Sequence, residues 1–165
     1  MATKKTVITK DKIVSFYMNY KLENNNKPKS VYQFAKENGF EEQDFYSYFG
    51  TLESVEKEIF KLFIEKTLSL IQKDKSYETY DMKSKMLSFY FTFFEILSAN
   101  RSYVLLSLKE HQNQLKNLMQ LSSLRIEFKN FIKEIMTDEV RTQYEKLQNI
   151  QEKSIQESAW IQFLI

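Results

Sequence analysis

Cysteine is absent from the 165 residues, glycine occurs twice and proline once. Without cysteine there is no disulfide framework and no thiolate zinc site, which agrees with a reducing compartment. Two scattered glycines exclude the clustered loops that cradle phosphates or dinucleotides. Sheet-rich folds draw on glycine and proline for their tight turns, so they do not fit either. Histidine occurs once, as His111 beside Glu110. No second histidine and no Glu-x-x-His spacing accompanies it, so it reads as a surface residue, and no metal site is expected. Lacking a Ser/His/Asp set as well, the chain presents no enzyme site and implies no cofactor. Lys and Arg number 24 against 22 Asp and Glu, and a net +2 points to no class of partner. The longest strongly apolar stretch, residues 86–94, lies between Lys85 and Glu95. It is far too short to span a bilayer, so no stable membrane insertion is expected. The opening Met1-Ala2-Thr3-Lys4-Lys5-Thr6 leads into no apolar core of signal-peptide length, so a cytoplasmic protein is expected.

What is present is a globular composition, 42% hydrophobic, 28% charged and 15% aromatic. Pro28, Gly39 and Gly50 all fall in the first 50 residues, and no helix breaker follows. This asymmetry predicts an all-α protein: a head of short helices over residues 1–50, then a bundle of longer helices over 51–165. The head reads as a helix over 9–22 carrying Ile13, Phe16, Tyr17 and Tyr20 on one stripe, and an Asn24-Asn25-Asn26 loop. A second helix opens at Ser30 with a Ser30/Gln33 capping box and ends at Gly39, and a third covers 41–49. In the bundle, Thr51 caps a helix over 52–73, and Asp81 caps one to about Ser98. The latter is apolar on nearly every side, which predicts a central, surrounded position. A short helix over 103–111 and a long one through Leu121, Leu124, Phe128, Ile132 and Ile135 follow. Thr137-Asp138-Glu139 signals the start of the last, with Val140, Tyr144, Leu147 and Ile150 behind it. The final Trp160-Ile161-Gln162-Phe163-Leu164-Ile165 is unusually apolar and reads as an end either cut short or covered by a partner.

Residues 31–49 have the spacing of a helix-turn-helix. Counted from Val31, Ala35 is fifth, where two closely crossing helices admit only a small side chain. Gly39 is ninth, where the turn needs positive φ, and Phe45 is fifteenth, pinning the last helix to the core with Phe34, Phe40 and Tyr48. The following Phe45-Tyr46-Ser47-Tyr48-Phe49-Gly50-Thr51-Leu52-Glu53-Ser54-Val55 resembles the stretch that closes the DNA-binding domain of the tetracycline-repressor family. The resemblance covers residues 13–59. It implies a three-helix helix-turn-helix head on a helical ligand and dimerisation bundle, acting as a dimeric regulator of transcription that binds DNA and responds to a small apolar ligand.

The resemblance also implies roles. Ser30 and Val31 open a helix whose N–H groups face a phosphate, Gln43 and Asp44 face base edges, and Tyr46, Ser47 and Tyr48 reach the backbone. The bundle encloses an apolar ligand, for which Met86, Phe89, Tyr90, Phe93 and Phe94 are the expected lining. Family dimers pack their last two helices together, which here designates Tyr144, Leu147, Trp160 and Phe163. Four features depart from the pattern. Leu52 replaces a basic residue, Phe16-Tyr17 replaces a small pair, and the Asn tract stands where a glycine usually follows the first helix. Residues 30–60 hold two lysines against seven carboxylates, a net −5. The first 29 residues carry a compensating +5. A second resemblance in fold, to lipid-binding accessory proteins of ubiquinone biosynthesis, implies the alternative: a helical bundle that holds a lipid or isoprenoid and does not bind DNA.

Overall fold

The computed structural model describes residues 7–109, 118–137 and 145–164, and the side chains of all these except 137 and 145–151. The protein is all-α, with no strand among the described residues. The elements are α1 (Lys10–Asn24), α2 (Val31–Glu37), α3 (Glu42–Tyr46), α4 (Leu52–Ile71), a 3-10 turn (Tyr77–Thr79), α5 (Met82–Ala99), α6 (Arg101–Lys109), α7 (Ser122–Thr137) and α8 (Glu145–Leu164). They form two compact units, Met1–Ile59 with Asn100–Gln120 and Phe60–Ala99 with Leu121–Ile165. The expected helix start at 137–139, the side chains of Tyr144, Leu147 and Ile150, and Lys4, Lys5, Glu110 and His111 lie outside the described residues.

In the first unit, local chemistry sets the helix ends. The Thr9 hydroxyl accepts from the Lys12 N–H and opens α1; Asn25 closes it in the left-handed region at φ 51°. Asparagine tolerates that conformation better than other non-glycine residues, so the Asn tract performs the work of a glycine. Ser30 caps α2 by accepting from the Gln33 N–H at 3.1 Å. The expected reciprocal half of that box is not made, because the Gln33 amide donates forward to Glu37 at 2.8 Å instead. Thr51 and Ser54 form a reciprocal pair at the start of α4: the Thr51 hydroxyl accepts from the Ser54 N–H, and the Ser54 hydroxyl accepts from the Thr51 N–H.

The head core is a cluster of rings around Phe34, which is fully buried. Tyr17, Tyr20, Phe40 and Phe45 approach it edge-on with centroids 5.5–6.2 Å away, the geometry that the ring quadrupole favours. Tyr48, expected in this core, is exposed instead, its hydroxyl donating to the Ile8 carbonyl at 3.3 Å. The unit runs past the expected boundary at Gly50 for an electrostatic reason. Lys10, Lys21 and Lys27 of the N-terminal segment pair with Glu58, Glu56 and Glu53 of α4. α6 joins the same unit by packing on α1.

Gly39 adopts φ +71°, and a Cβ there would meet nothing within 4 Å. The cost of Gly39→Ala is therefore backbone strain alone, about 1–2 kcal/mol. Gly50 has equally open space without positive φ. Gly50→Ala should be neutral or stabilise by up to about 1 kcal/mol through the unfolded chain. Urea denaturation of the two variants side by side checks the contrast.

In the second unit, α5 and α8 pack against α7. Asp81 caps α5 as expected, accepting from the Ser84 N–H at 2.9 Å. Leu121, Leu124, Phe128, Ile132 and Ile135 are all buried. The inward stripe of α4 ends on Ile71, which is buried, while Leu70 and Lys66 are exposed. The expectation that α5 is surrounded is overturned. Its inner face is Lys85, Phe89, Phe93 and Ile96, while Phe91 is 73% exposed and Phe94 54%. One helix has more apolar residues than a single packing face can take.

The rings of Phe89, Phe93, Phe128, Phe131 and Phe163 stack into one layer, with Phe89–Phe131 and Phe128–Phe163 centroids at 4.7 Å. Phe89 and Phe93 are thus filled against neighbouring rings, Met86 and Tyr90 are half-buried, and Phe94 faces outward. This corrects the expected enclosed lining. Trp160, which reads from the sequence either as core or as a dimer anchor, is buried beside Phe128 and Phe163 in its own unit and so is a core residue here. Phe163 is half-buried in the same layer.

The α7–α8 pair is also held by Glu157, whose carboxylate accepts from Lys129 Nζ and the Arg125 guanidinium. Those bonds, Lys129 first, hold its pKa below the ordinary carboxylate value. A depressed folded-state pKa gives stability that is present above the unfolded pKa and lost as pH falls through the folded one. Glu157→Gln should therefore flatten the acid side of the Tm profile between about pH 5 and pH 3, by a small amount because the group is exposed and salt-screened.

Candidate nucleic-acid interface

The helix-turn-helix corner is built as its spacing requires. Ala35 is buried where α2 meets α3, Gly39 supplies the positive φ, and Phe45 is fully buried. The turn is closed by the Phe40 N–H donating to the Ala35 carbonyl at 3.0 Å and by Asn38 Nδ2 donating to Phe34 at 2.8 Å. α3 ends earlier than the expected Phe49, at Tyr46. The Ser47 hydroxyl donates back to the Gln43 carbonyl at 2.9 Å, and the backbone tightens, with the Tyr48 N–H reaching Phe45 three residues back.

The predicted contact residues divide by availability. Gln43, Tyr46, Ser47 and Tyr48 are exposed, and Ser30 is exposed at the start of α2 with Val31 half-buried. Asp44 is half-buried, and its carboxylate accepts from the Glu41 N–H at 3.3 Å, capping α3. Its chemistry is thereby partly spent on its own helix. Leu52 is buried, so the position where the family pattern has a basic residue is a core position here.

Two residues that enter the charge balance of the head are in the core. Lys21 is 1% exposed and Glu56 2%, with Lys21 Nζ 2.7 Å from Glu56 Oε1. The Tyr17 hydroxyl donates to the same oxygen at 2.7 Å, and the Lys21 ammonium stands 5.7 Å over the Tyr103 ring. Apolar periodicity gives no signal for such a pair, because lysine within a stripe is read as its solvent edge.

The pairings redistribute the charge of the head. Lys10, Lys21 and Lys27 are engaged by α4, so part of the basic excess of the N-terminal segment neutralises Glu58, Glu56 and Glu53. Glu37, Glu41, Glu42 and Asp44 keep no ion pair among the described residues, and Lys36 lies among them with its Nζ 5.9 Å over the Tyr32 ring. Between α2 and α3 is an open groove of about 610 Å³ lined by Tyr32, Ala35, Lys36 and residues 39–43. Among the described residues no group of His, Cys, Asp or Glu is placed to hold a metal ion, and no helix is long and apolar enough to cross a membrane.

Searches of curated proteins and of solved structures find no match to the chain. A family model does match: residues 85–165 fit the tetracyclin repressor-like C-terminal domain. The head stands N-terminal to this match, in the order that the helix-turn-helix spacing leads one to expect. Residues 85–165 thus carry a tetracycline-repressor-like C-terminal domain.

Proposed function

We propose that the protein is a transcriptional regulator that binds DNA as a dimer through its α2–α3 head and responds to a small apolar ligand held by its bundle. The observation that carries this reading is the helix-turn-helix corner: Ala35 at the crossing, Gly39 at φ +71° and Phe45 buried, with Gln43, Tyr46 and Tyr48 left exposed beyond it. A helix pair so built presents α3 to a major groove, with Gln43 suited to adenine and the tyrosine hydroxyls to phosphates. Such a regulator works in the cytoplasm. For the dimer, exposed Ile126 on α7 and Ile161 and Leu164 on α8 support a surface on the last two helices, taking over the role expected of Trp160.

The expected result is salt-dependent binding to duplex from the gene's own upstream region, measured by fluorescence anisotropy. Gln43→Ala should cost about 1–3 kcal/mol and relax specificity at one position. Absence of affinity above nonspecific background at low salt would contradict the reading.

A second reading is favoured by one observation, the outward stripe Leu87, Phe91 and Phe94 on α5, together with the acidic α3. In it the same fold holds a lipid or isoprenoid and does not bind DNA. Organic extraction of the purified protein, followed by mass spectrometry, separates the two. A stoichiometric isoprenoid or fatty acid supports this second reading, and a protein that carries and takes up no lipid contradicts it.

A further inference from the structure

We infer that Tyr48 is a positioning residue: its hydroxyl holds the chain that leads into α1 beside the end of α3, so that Lys4 and Lys5 meet the phosphates next to the groove that α3 enters. The inference rests on the regulator reading and adds to it a source of positive charge.

Two contacts place the entry of α1. The Tyr48 hydroxyl donates to the Ile8 carbonyl at 3.3 Å, and the Lys10 ammonium stands 6.0 Å over the Phe49 ring. The Lys12 ammonium fixes the preceding residue, donating to the Val7 carbonyl at 2.8 Å. Residues 7–9 belong to no helix or strand, so these bonds set the direction of the chain there. A hydroxyl has one proton. Given to Ile8, that of Tyr48 is not available to a phosphate, and Tyr46, 55% exposed, is left to that role.

Charge makes the placement matter. A duplex is held mainly by neutralising its phosphates. The α2–α3 corner offers Lys36 against Glu37, Glu41, Glu42 and Asp44, and Leu52 is buried. Lys10, Lys21 and Lys27 are engaged by α4. The six residues before Val7 hold two lysines and no carboxylate. Lys5 stands three residues from Ile8, at most about 11 Å along an extended chain. A tether at Ile8 therefore keeps both ammonium groups near the end of α3. Released from Tyr48, the same lysines sample a larger volume, and their effective concentration at the phosphates falls.

The experiment uses the full chain and duplex from the gene's own upstream region, with affinity measured by fluorescence anisotropy across a range of salt. Lys4→Gln with Lys5→Gln should lower the slope of log affinity against log salt by about 2, one for each phosphate contact. Tyr48→Phe removes no charge, yet should lower the slope by about 0.5–1 and weaken binding about threefold to tenfold, the equivalent of one net hydrogen bond. Tyr48 is 46% exposed, so this change leaves the core intact. In the Lys4/Lys5 double variant Tyr48→Phe should change affinity less than about twofold, since both changes act through one segment. Lys73→Gln with Lys75→Gln, which removes two exposed charges of the second unit, should leave the slope unchanged. A slope indifferent to the Lys4/Lys5 pair would overturn the proposal and leave the regulator reading standing. So would additive losses, which return Tyr48 to a direct phosphate contact, or an equal loss of slope from the Lys73/Lys75 pair. A wild-type protein with no affinity above nonspecific background would overturn both.

Discussion

Lys21→Met should destabilise the protein by about 3–5 kcal/mol, the largest effect expected of any single change in the head. The methionine fills a similar volume, so packing is nearly preserved. What is lost is the only described ion pair to a carboxylate that is itself 2% exposed and already accepts from Tyr17. The Glu56 charge then remains in the core without that ammonium. Glu56→Gln should also destabilise, because it takes away the carboxylate that the ammonium meets at 2.7 Å. Replacing the set together, Lys21→Met with Glu56→Leu and Tyr17→Phe, should recover most of the loss, because a matched apolar core costs little where a broken pair costs much. Urea denaturation followed by far-UV circular dichroism reports these differences. Additive rather than compensating effects would show that the groups act independently.

Phe89→Ala should cost a similar amount, about 3–5 kcal/mol. Phe89 is fully buried, with Phe93, Phe128 and Phe131 at 4.7–5.5 Å and Phe163 at 6.4 Å. Truncation removes its transfer energy and leaves a void in a layer of rings too interlocked to collapse. Phe91→Ala, two residues on, should stay within about 0.5 kcal/mol, since that ring is 73% exposed. The lone Trp160 lies in the same layer, against Phe128 and Phe163, so its fluorescence reports directly on this unit. The pair of variants distinguishes the inner face of α5 from its outer one. Equal effects at both positions would contradict the described packing.

The readable parts of this protein are those governed by local sterics and short-range hydrogen bonds. Ala35, Gly39 and Phe45 were identifiable because a tight helix crossing, a left-handed turn and a core pin each admit few residue types. Ser30, Thr51 and Asp81 were recognisable as caps for the same reason. The faces of α5 were not readable, since an apolar residue at almost every position leaves the periodicity without a phase. The Lys21–Glu56 pair joins positions 35 residues apart, beyond any local pattern. That pairing, with Lys10–Glu58 and Lys27–Glu53, also changed the electrostatic account, because three lysines of the N-terminal segment neutralise carboxylates of α4. Trp160 read either as core or as a dimer anchor, and its neighbours in space, Phe128 of α7 and Phe163 of α8, place it in the core. The groove beside Tyr32 had no sequence signature, being made by the shape of a turn.

The central claim, that this head reads DNA despite its acidic helix, is tested most directly by selection from a random duplex library with the purified protein at low salt. The regulator reading predicts enrichment of a two-fold symmetric sequence whose half-sites lie about one helical turn apart, with adenine preference lost in Gln43→Ala. A library recovered with no sequence enriched over the input would contradict it.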